Sequence, residues 1–461
     1  MSPRPTPRLA SAVRAVFWTS AAVLASAMPA RADLDSAKKY FADNVRAPDW
    51  KARRSAYGAF QDHDGGPAAT TILGAVATET HPVVLAAAAD TLGRFRSEGA
   101  RTAVVASFKT AKGTERVVAA HALRTVRGAD VDAALADAVV NAPPTFAGLA
   151  AAALAQPGRS GASAALVAAL AEDAPSVRAA AARALGALAD RAAVGPLVAR
   201  LPLEKGRVRG DVVAALEAVT RQPLGDAPAA WAAVAAGTDP AAAAAERAYP
   251  PSFFGLPVTA DRVVFVLDRS LMMSDPNALA EEGKRERLEA LCTPKDGDRI
   301  PWRQLKSRMQ LAQAQIRHAV AGLPPSARFE VVYFAEDVQA VFGKKLVAPN
   351  TAARKLLDDA FVKLQTDDGI ALYDALLTAL DLGGATDDKA LKAGPEQVFL
   401  VMNNIPTKGD VTDPDALEKG VAFRARTRGV SISVVDLGSN RQLLAEGLAK
   451  GTGGGYLDLT K

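Results

Sequence analysis

The chain has 461 residues, 49% of them hydrophobic and 23% charged, so it can bury a core and is not disordered by composition. Its formal charge is +5, but Arg4, Arg8, Arg14 and Arg31 lie in the first 32 residues with no acid among them, leaving 51 basic against 50 acidic residues, or +1, in the remainder. That near balance gives no case for a nucleic-acid binder, which needs a clustered basic face. One cysteine, Cys292, excludes an intramolecular disulfide and a cysteine-based zinc site, and no two of His63, His81, His121 and His318 stand three or four residues apart, as a histidine metal helix requires.

Residues 1–32 are expected to be an export signal. Arg4, Arg8 and Arg14 form a basic start, Ala15 to Ala27 a short apolar run, and Ala30-Arg31-Ala32 a small-x-small cleavage site before Asp33. The run is short for a bilayer span, and the alternative is an uncleaved N-terminal anchor. No cysteine follows for a lipid anchor, so the mature chain is expected to start near Asp33 without integral membrane insertion, in the periplasm or outside the cell.

Residues 33–236 repeat themselves. Val177-Arg178-Ala179-Ala180-Ala181-Ala182-Arg183-Ala184-Leu185 is the clearest copy, and its closing apolar residue recurs at Phe60, Leu92, Leu123, Leu154, Leu185 and Leu216, with spacings of 32, 31, 31, 31 and 31. Second amphipathic stretches lie between the copies, such as Ser163 to Ala171 and Ala193 to Leu201, and glycine, proline and aspartate mark the joints. Two helices per period predict an all-α stack of hairpins, because no single unit can bury its own face. The pattern resembles HEAT-like repeats of the short kind. Arg116, Arg178 and Arg209 recur in register, and the reading is that they snorkel and pair with loop carboxylates rather than line a binding face. His121 reads as a packed or capping histidine, and Trp231 as the cover of the last hairpin. Residues 237–257, with an alanine run and Tyr249-Pro250-Pro251, are expected to be a linker that buries little.

From 258 to 461 the pattern alternates. Strands are predicted at Arg262 to Leu267, Arg328 to Phe334, Val338 to Phe342, Gln397 to Met402, Val430 to Leu437 and around Tyr456 to Asp458. Helices are predicted at Trp302 to Leu323, Thr351 to Leu364, Ala371 to Leu382, Asp413 to Arg428 and Leu443 to Lys450. This order implies a doubly wound, Rossmann-like α/β sheet with its binding site at the carboxyl ends of the strands. Residues 274–301 form a charged insertion at that end, a candidate lid or partner-contacting loop that also reads as a surface loop with no role.

Val263-Val264-Phe265-Val266-Leu267-Asp268-Arg269-Ser270, then Leu372-Tyr373-Asp374-Ala375-Leu376, then Phe399-Leu400-Val401-Met402-Asn403-Asn404 resemble, in order and spacing, the three loop motifs of von Willebrand factor A domains. In that family the loops hold a divalent ion whose open position takes a carboxylate from a protein partner. The resemblance puts Asp268 and Ser270 in ligand places, but Met272 stands where a second serine belongs, Ile370 where a threonine belongs and Asn403 where an aspartate belongs. Magnesium wants six hard oxygens, and a thioether and an isoleucine supply none. Asp268, Ser270, Met272, Ile370 and Asn403 are therefore expected to form the partner-binding rim of a vestigial, metal-free adhesion site, with Asp268 satisfied by backbone amides or by Asn403. Asp367, Asp368, Asp275 and Glu281-Glu282 read as solvated loop acids rather than substitute ligands.

The function expected is an exported protein–protein interaction scaffold with no cofactor and an unidentified protein partner. The alternative is a magnesium- or manganese-dependent adhesion module, with Asp268 and Ser270 as ligands, that binds acidic groups of a partner. No G-x-S-x-G nucleophile elbow and no GxxxxGK[ST] phosphate loop occurs, and Cys292 has no histidine beside it, so an enzyme is not expected.

Overall fold

A computed structural model describes residues 33–241, 250–276, 278–279, 286, 288–290, 300–384, 387–438 and 442–459. The expected signal segment, and Glu281, Glu282, Cys292 and Lys295 of the insertion, lie outside those residues.

The first region is helical: α1 (Leu34–Asn44), α2 (Trp50–Gly58), α3 (Gly66–Ala75), α4 (Pro82–Arg94), α5 (Glu98–Thr110), α6 (Gly113–Ala122), α7 (Ala129–Asn141), α8 (Pro144–Leu154), α9 (Ala162–Ala169), α10 (Pro175–Leu188), α11 (Val194–Arg200), α12 (Gly206–Thr220) and α13 (Pro228–Ala236). From α2 to α12 the even-numbered helices pack one on the next, and from α3 to α9 the odd-numbered ones do the same, giving two layers. All six closing residues, Phe60, Leu92, Leu123, Leu154, Leu185 and Leu216, are fully buried in the seam. Small residues set the spacing between neighbours: a Cβ on Gly186 of α10 would stand 2.9 Å from Ala215 Cα of α12. The recurring arginines are engaged locally. Arg178 pairs with Glu204 at 2.7 Å, Arg209 with Asp226 at 2.7 Å, and Arg116 donates to Phe108 O and lies 4.0 Å over the Phe146 ring. Trp231 is fully buried and its Nε1 donates to Gly225 O at 2.8 Å.

The second region starts with a hairpin, β1 (Ser252–Phe253) and β2 (Leu256–Pro257), and continues through β3 (Arg262–Asp268), α14 (Arg308–Gly322), β4 (Arg328–Phe334), β5 (Val338–Ala340), α15 (Thr351–Lys363), α16 (Leu372–Leu380), α17 (Asp387–Ala393), β6 (Gln397–Met402), α18 (Pro414–Thr427), β7 (Ser431–Asp436), α19 (Gln442–Thr452) and β8 (Tyr456–Asp458). The main sheet has the order β5-β4-β3-β6-β7-β8, parallel except for β5 at one edge. Alternate side chains divide between two faces. Val263, Phe265 and Leu267 pack with α14 and α15, while Val264 and Val266 face α16, α18 and α19.

One feature departs from the sequence reading, and a second answers what that reading left open. The segment 237–257 buries more than a linker should, because the chain folds back through a tight turn with Gly255 at φ 77°, burying Phe253 against Phe265 and Phe399 and Phe254 edge-on against Phe253. The helical stack and one face of the sheet also share a single continuous apolar core. Helix α4 lies along α18, where a Cβ on Gly420 would stand 2.5 Å from Val83 Cγ2. Farther along, His121 stacks on Phe423 at 4.0 Å and shares a 2.9 Å hydrogen bond with Thr427 Oγ1, so this histidine is packed against the sheet region rather than within its own stack. Among the described residues no helix is long and apolar enough to cross a membrane.

Candidate functional site

Chain order places β3 at the centre of the sheet with β4 on one side and β6 on the other, so the reversal of winding falls beside the end of β3. Crevices at that end are where open α/β sheets receive ligands. Asp268 is the last residue of β3 and is fully buried. Its Oδ1 accepts from Ser270 N at 2.6 Å and its Oδ2 from Asn403 N at 3.1 Å, one loop on each side. Burial pushes the Asp268 carboxyl above the ordinary aspartate value, against the opposing pull of these donors.

The three loops are closed on one another by backbone bonds. Leu271 N donates to Asp367 O at 3.1 Å and Asp367 N to Arg269 O at 3.1 Å, joining the first loop to the second. Thr407 N and Lys408 N both donate to Ile370 O, at 3.1 and 3.2 Å, joining the second to the third. Asp367 also pairs with Arg269 at 3.7 Å, and Arg269 bridges to Asp337 as well, so the acid read as solvated is part of the brace. Asp368 Oδ1 is turned back on Gly369 N.

These bonds determine what the expected rim presents. Asp268, Ser270, Ile370 and Asn403 are all buried, whereas Met272 is 55% exposed and its neighbour Leu271 56%. The crest of the sheet thus offers an apolar pair to its surroundings, with the four other rim positions packed beneath it. They are drawn inward because Asp268 takes backbone donors on both sides and Ile370 joins the apolar core. Asn403 Oδ1 is buried without a hydrogen-bond partner, while the Ser270 side chain lies against the Asp268 carboxyl and favours its ionised form. The oxygen set here is one buried carboxylate, each oxygen already accepting a backbone amide, plus a hydroxyl and an amide, a thin set for magnesium, whose remaining positions would fall to water. Among the described residues no group of three His, Cys, Asp or Glu side chains is arranged so that it could hold a metal ion.

Two supports of the site went unread in the sequence. Arg308 is the first residue of α14, whose Ser307/Gln310 capping box fixes where the helix starts. Its Nε donates to Leu437 O at 2.8 Å and its Nη1 reaches Met272 O at 3.5 Å, tying the loops after β7 and β3 together. The Ser-x-x-Gln signal preceding an apolar run was there to be used. The other support comes from the helical region. Trp50 Nε1 donates to Asp410 O at 3.3 Å, His81 Nε2 lies 2.8 Å from Asp410 Oδ2, and the His81 ring stacks on Trp50 at 5.2 Å. Asp410 N in turn donates to Asp374 at 3.3 Å, so the third loop is anchored to both regions. No local signal marks this contact, since its partners are more than 300 residues apart.

No protein-family model and no curated protein matches the chain. Among solved structures, one similar chain is a von Willebrand factor type A protein from Catenulispora acidiphila, at 15% identity and a TM-score of 0.30, over 43% of this chain and 40% of that one. The chain therefore spans well under half of that protein, and a likeness this slight adds nothing to the fold described above from its own strands and helices.

Proposed function

We propose that this chain is an exported protein-interaction scaffold and not an enzyme. A HEAT-like helical stack holds a von Willebrand factor A-like module whose adhesion site is vestigial and works without a metal ion or other cofactor. The observation that carries this reading is the closure of the three crest loops by backbone bonds around Asp268, whose two oxygens are taken by Ser270 N and Asn403 N. A divalent ion has no structural task left there, and the surface facing outward is the apolar pair Leu271 and Met272. Exposed apolar side chains at a polar rim suit a protein partner. The reading without catalysis rests on Ser270, whose side chain lies against the Asp268 carboxyl in a loop that carries no histidine. Export rests on the basic, apolar and small-residue order of residues 1–32.

The test is affinity capture from the cell envelope with the full chain, with and without a divalent chelator, alongside calorimetry with magnesium and manganese. The same partner captured in both conditions, no metal binding, and reduced capture by a Leu271→Asp, Met272→Asp variant are expected. Saturable metal binding lost in Asp268→Ala, with capture abolished by the chelator, favours the metal-dependent adhesion reading instead.

A further inference from the structure

We infer that the seam between the helical stack and the sheet region holds a binding site for a phosphate group, either inorganic phosphate or the phosphate of a small monoester. The seam contains a cavity of about 240 Å³. Six cationic side chains line it (Arg124, Arg183, Arg207, Arg426, Arg428 and Lys450) and one carboxylate, Glu396. In a chain whose charges otherwise nearly cancel, this is a concentrated excess.

Some of that charge is already matched. Arg183 and Arg207 share Asp211, at 2.9 and 3.3 Å. Arg428 pairs with Asp381 and Asp387, and its Nη1 donates to Leu380 O and Gly384 O at 3.1 Å. The Glu396 carboxylate is bonded by Arg262 and by the amides of Asp261 and Arg262, although it still attracts Arg183, and its carbonyl accepts from Arg207. Two half-buried arginines and one exposed lysine remain. Arg124 Nε is buried with no hydrogen-bond partner. Arg426 donates its Nε to Gly451 O at 2.7 Å and has no ion pair at bonding distance among the described residues. Lys450, on the last turn of α19, is exposed.

Arg124 and Arg426 repel each other, and burial together with that repulsion pushes Arg426 down to about 9. Burial pushes Arg183 down to about 10. Asp90 attracts both arginines and Glu418 attracts Arg426, yet among the described residues neither acid forms an ion pair with them, so an anion in the cavity would complete donors that the protein leaves partly unsatisfied. The backbone adds to the same field. Helices α8 and α10 present their first residues, Pro144-Thr145 and Pro175-Ser176, to the cavity, and neither helix has a side-chain cap. Several guanidinium forks arriving from different elements suit a tetrahedral dianion better than a flat carboxylate. The cavity is larger than one phosphate ion and leaves room for a small organic group. Its walls come from both regions, so the bound anion also fastens one to the other.

Isothermal calorimetry of the full chain, at constant ionic strength made up with chloride, tests this with inorganic phosphate and separately with glycerol 3-phosphate. Saturable binding of at least one is expected, with a melting temperature that rises with its concentration. Tighter binding of the monoester identifies a phosphorylated small molecule as the ligand, and equal binding identifies phosphate itself. Arg124→Gln is expected to weaken binding by about tenfold or more. Lys450→Gln, at an exposed position where folding is not at stake, is expected to show a smaller loss. No saturable binding of either probe, or parental affinity in both variants, overturns the inference.

Discussion

Glu204 in the helical region and Asp268 at the crest of the sheet are both buried carboxylates, and they are stabilised in opposite ways. Burial pushes Glu204 up, but hydrogen bonds from Arg178 and Arg200 outweigh it and hold the carboxyl below the ordinary glutamate value. Asp268 meets two backbone amides and the Ser270 side chain but no cation, and burial wins. The helical region therefore holds its charge in pairs written within one repeat. Arg53 and Glu79 are 26 residues apart, as are Arg178 and Glu204, and each arginine also donates to two carbonyls of the preceding loop. The crest holds the Asp268 carboxylate by its own loop at Ser270 N and by a distant loop folded back at Asn403 N. Local pairing repeats with the sequence period, whereas long-range backbone closure leaves no periodic trace.

The largest expected effect comes from breaking the paired side of this contrast. Glu204→Gln leaves Arg178 and Arg200 facing a neutral amide in a largely buried position, and is expected to cost about 3–5 kcal/mol at neutral pH in urea unfolding. The pH dependence separates the two carboxylates. Glu204 has a folded value below that of the unfolded chain, so its stabilisation is complete above about 4.5 and is lost as the pH falls through the lowered value. The gap between parent and variant should therefore close in acid. Asp268 has the opposite sign: its cost is absent below about 3.8 and grows as the pH rises through the raised value. A gap that stays constant down to acid pH would mean that charge is not what Glu204 contributes.

Asp268→Ala tests the other side and should cost less, about 2–3 kcal/mol, because it orphans two buried backbone amides without stranding a charged partner. Hydrogen exchange should quicken at Ser270 and Asn403 while the helical region keeps its protection. If the helical region loosens equally, the shared core couples the regions more tightly than the loops do.

How much was legible follows the same division. The six closing residues at Phe60 through Leu216 needed only the period, and the strands at Arg328–Phe334 and Gln397–Met402 needed only their apolar runs. The burial of Phe253 and Phe254 was hidden because neighbouring prolines and glycine read as a linker. The seam was hidden for a different reason. Gly420, His121 and the arginines around the cavity belong to helices whose alanine-rich faces look alike, and nothing local says which face meets a second region. Met272, Ile370 and Asn403 were visible as departures from a metal site, but the inward turn of that loop set depends on contacts 135 residues apart.

Gly186→Ala probes the small-residue packing that sets the spacing of the stack. The added methyl meets the Ala215 backbone at 2.9 Å, which cannot yield as a flexible side chain does. A cost of about 1–2 kcal/mol is expected, read as a lower urea midpoint with an unchanged slope.

Met272→Ser should do almost nothing to the fold, within about 0.5 kcal/mol, because the side chain is more than half exposed. It restores a hydroxyl at one position where the resemblance places an oxygen ligand, yet magnesium should still fail to raise the melting temperature, since Ile370 remains apolar and both oxygens of Asp268 remain engaged. Partner capture should weaken, because removing an exposed thioether takes apolar area from the crest. A variant of unchanged stability with reduced capture would place binding on that apolar pair. A magnesium-dependent gain in melting temperature would instead mean that the backbone closure around Asp268 opens readily enough for an ion to enter.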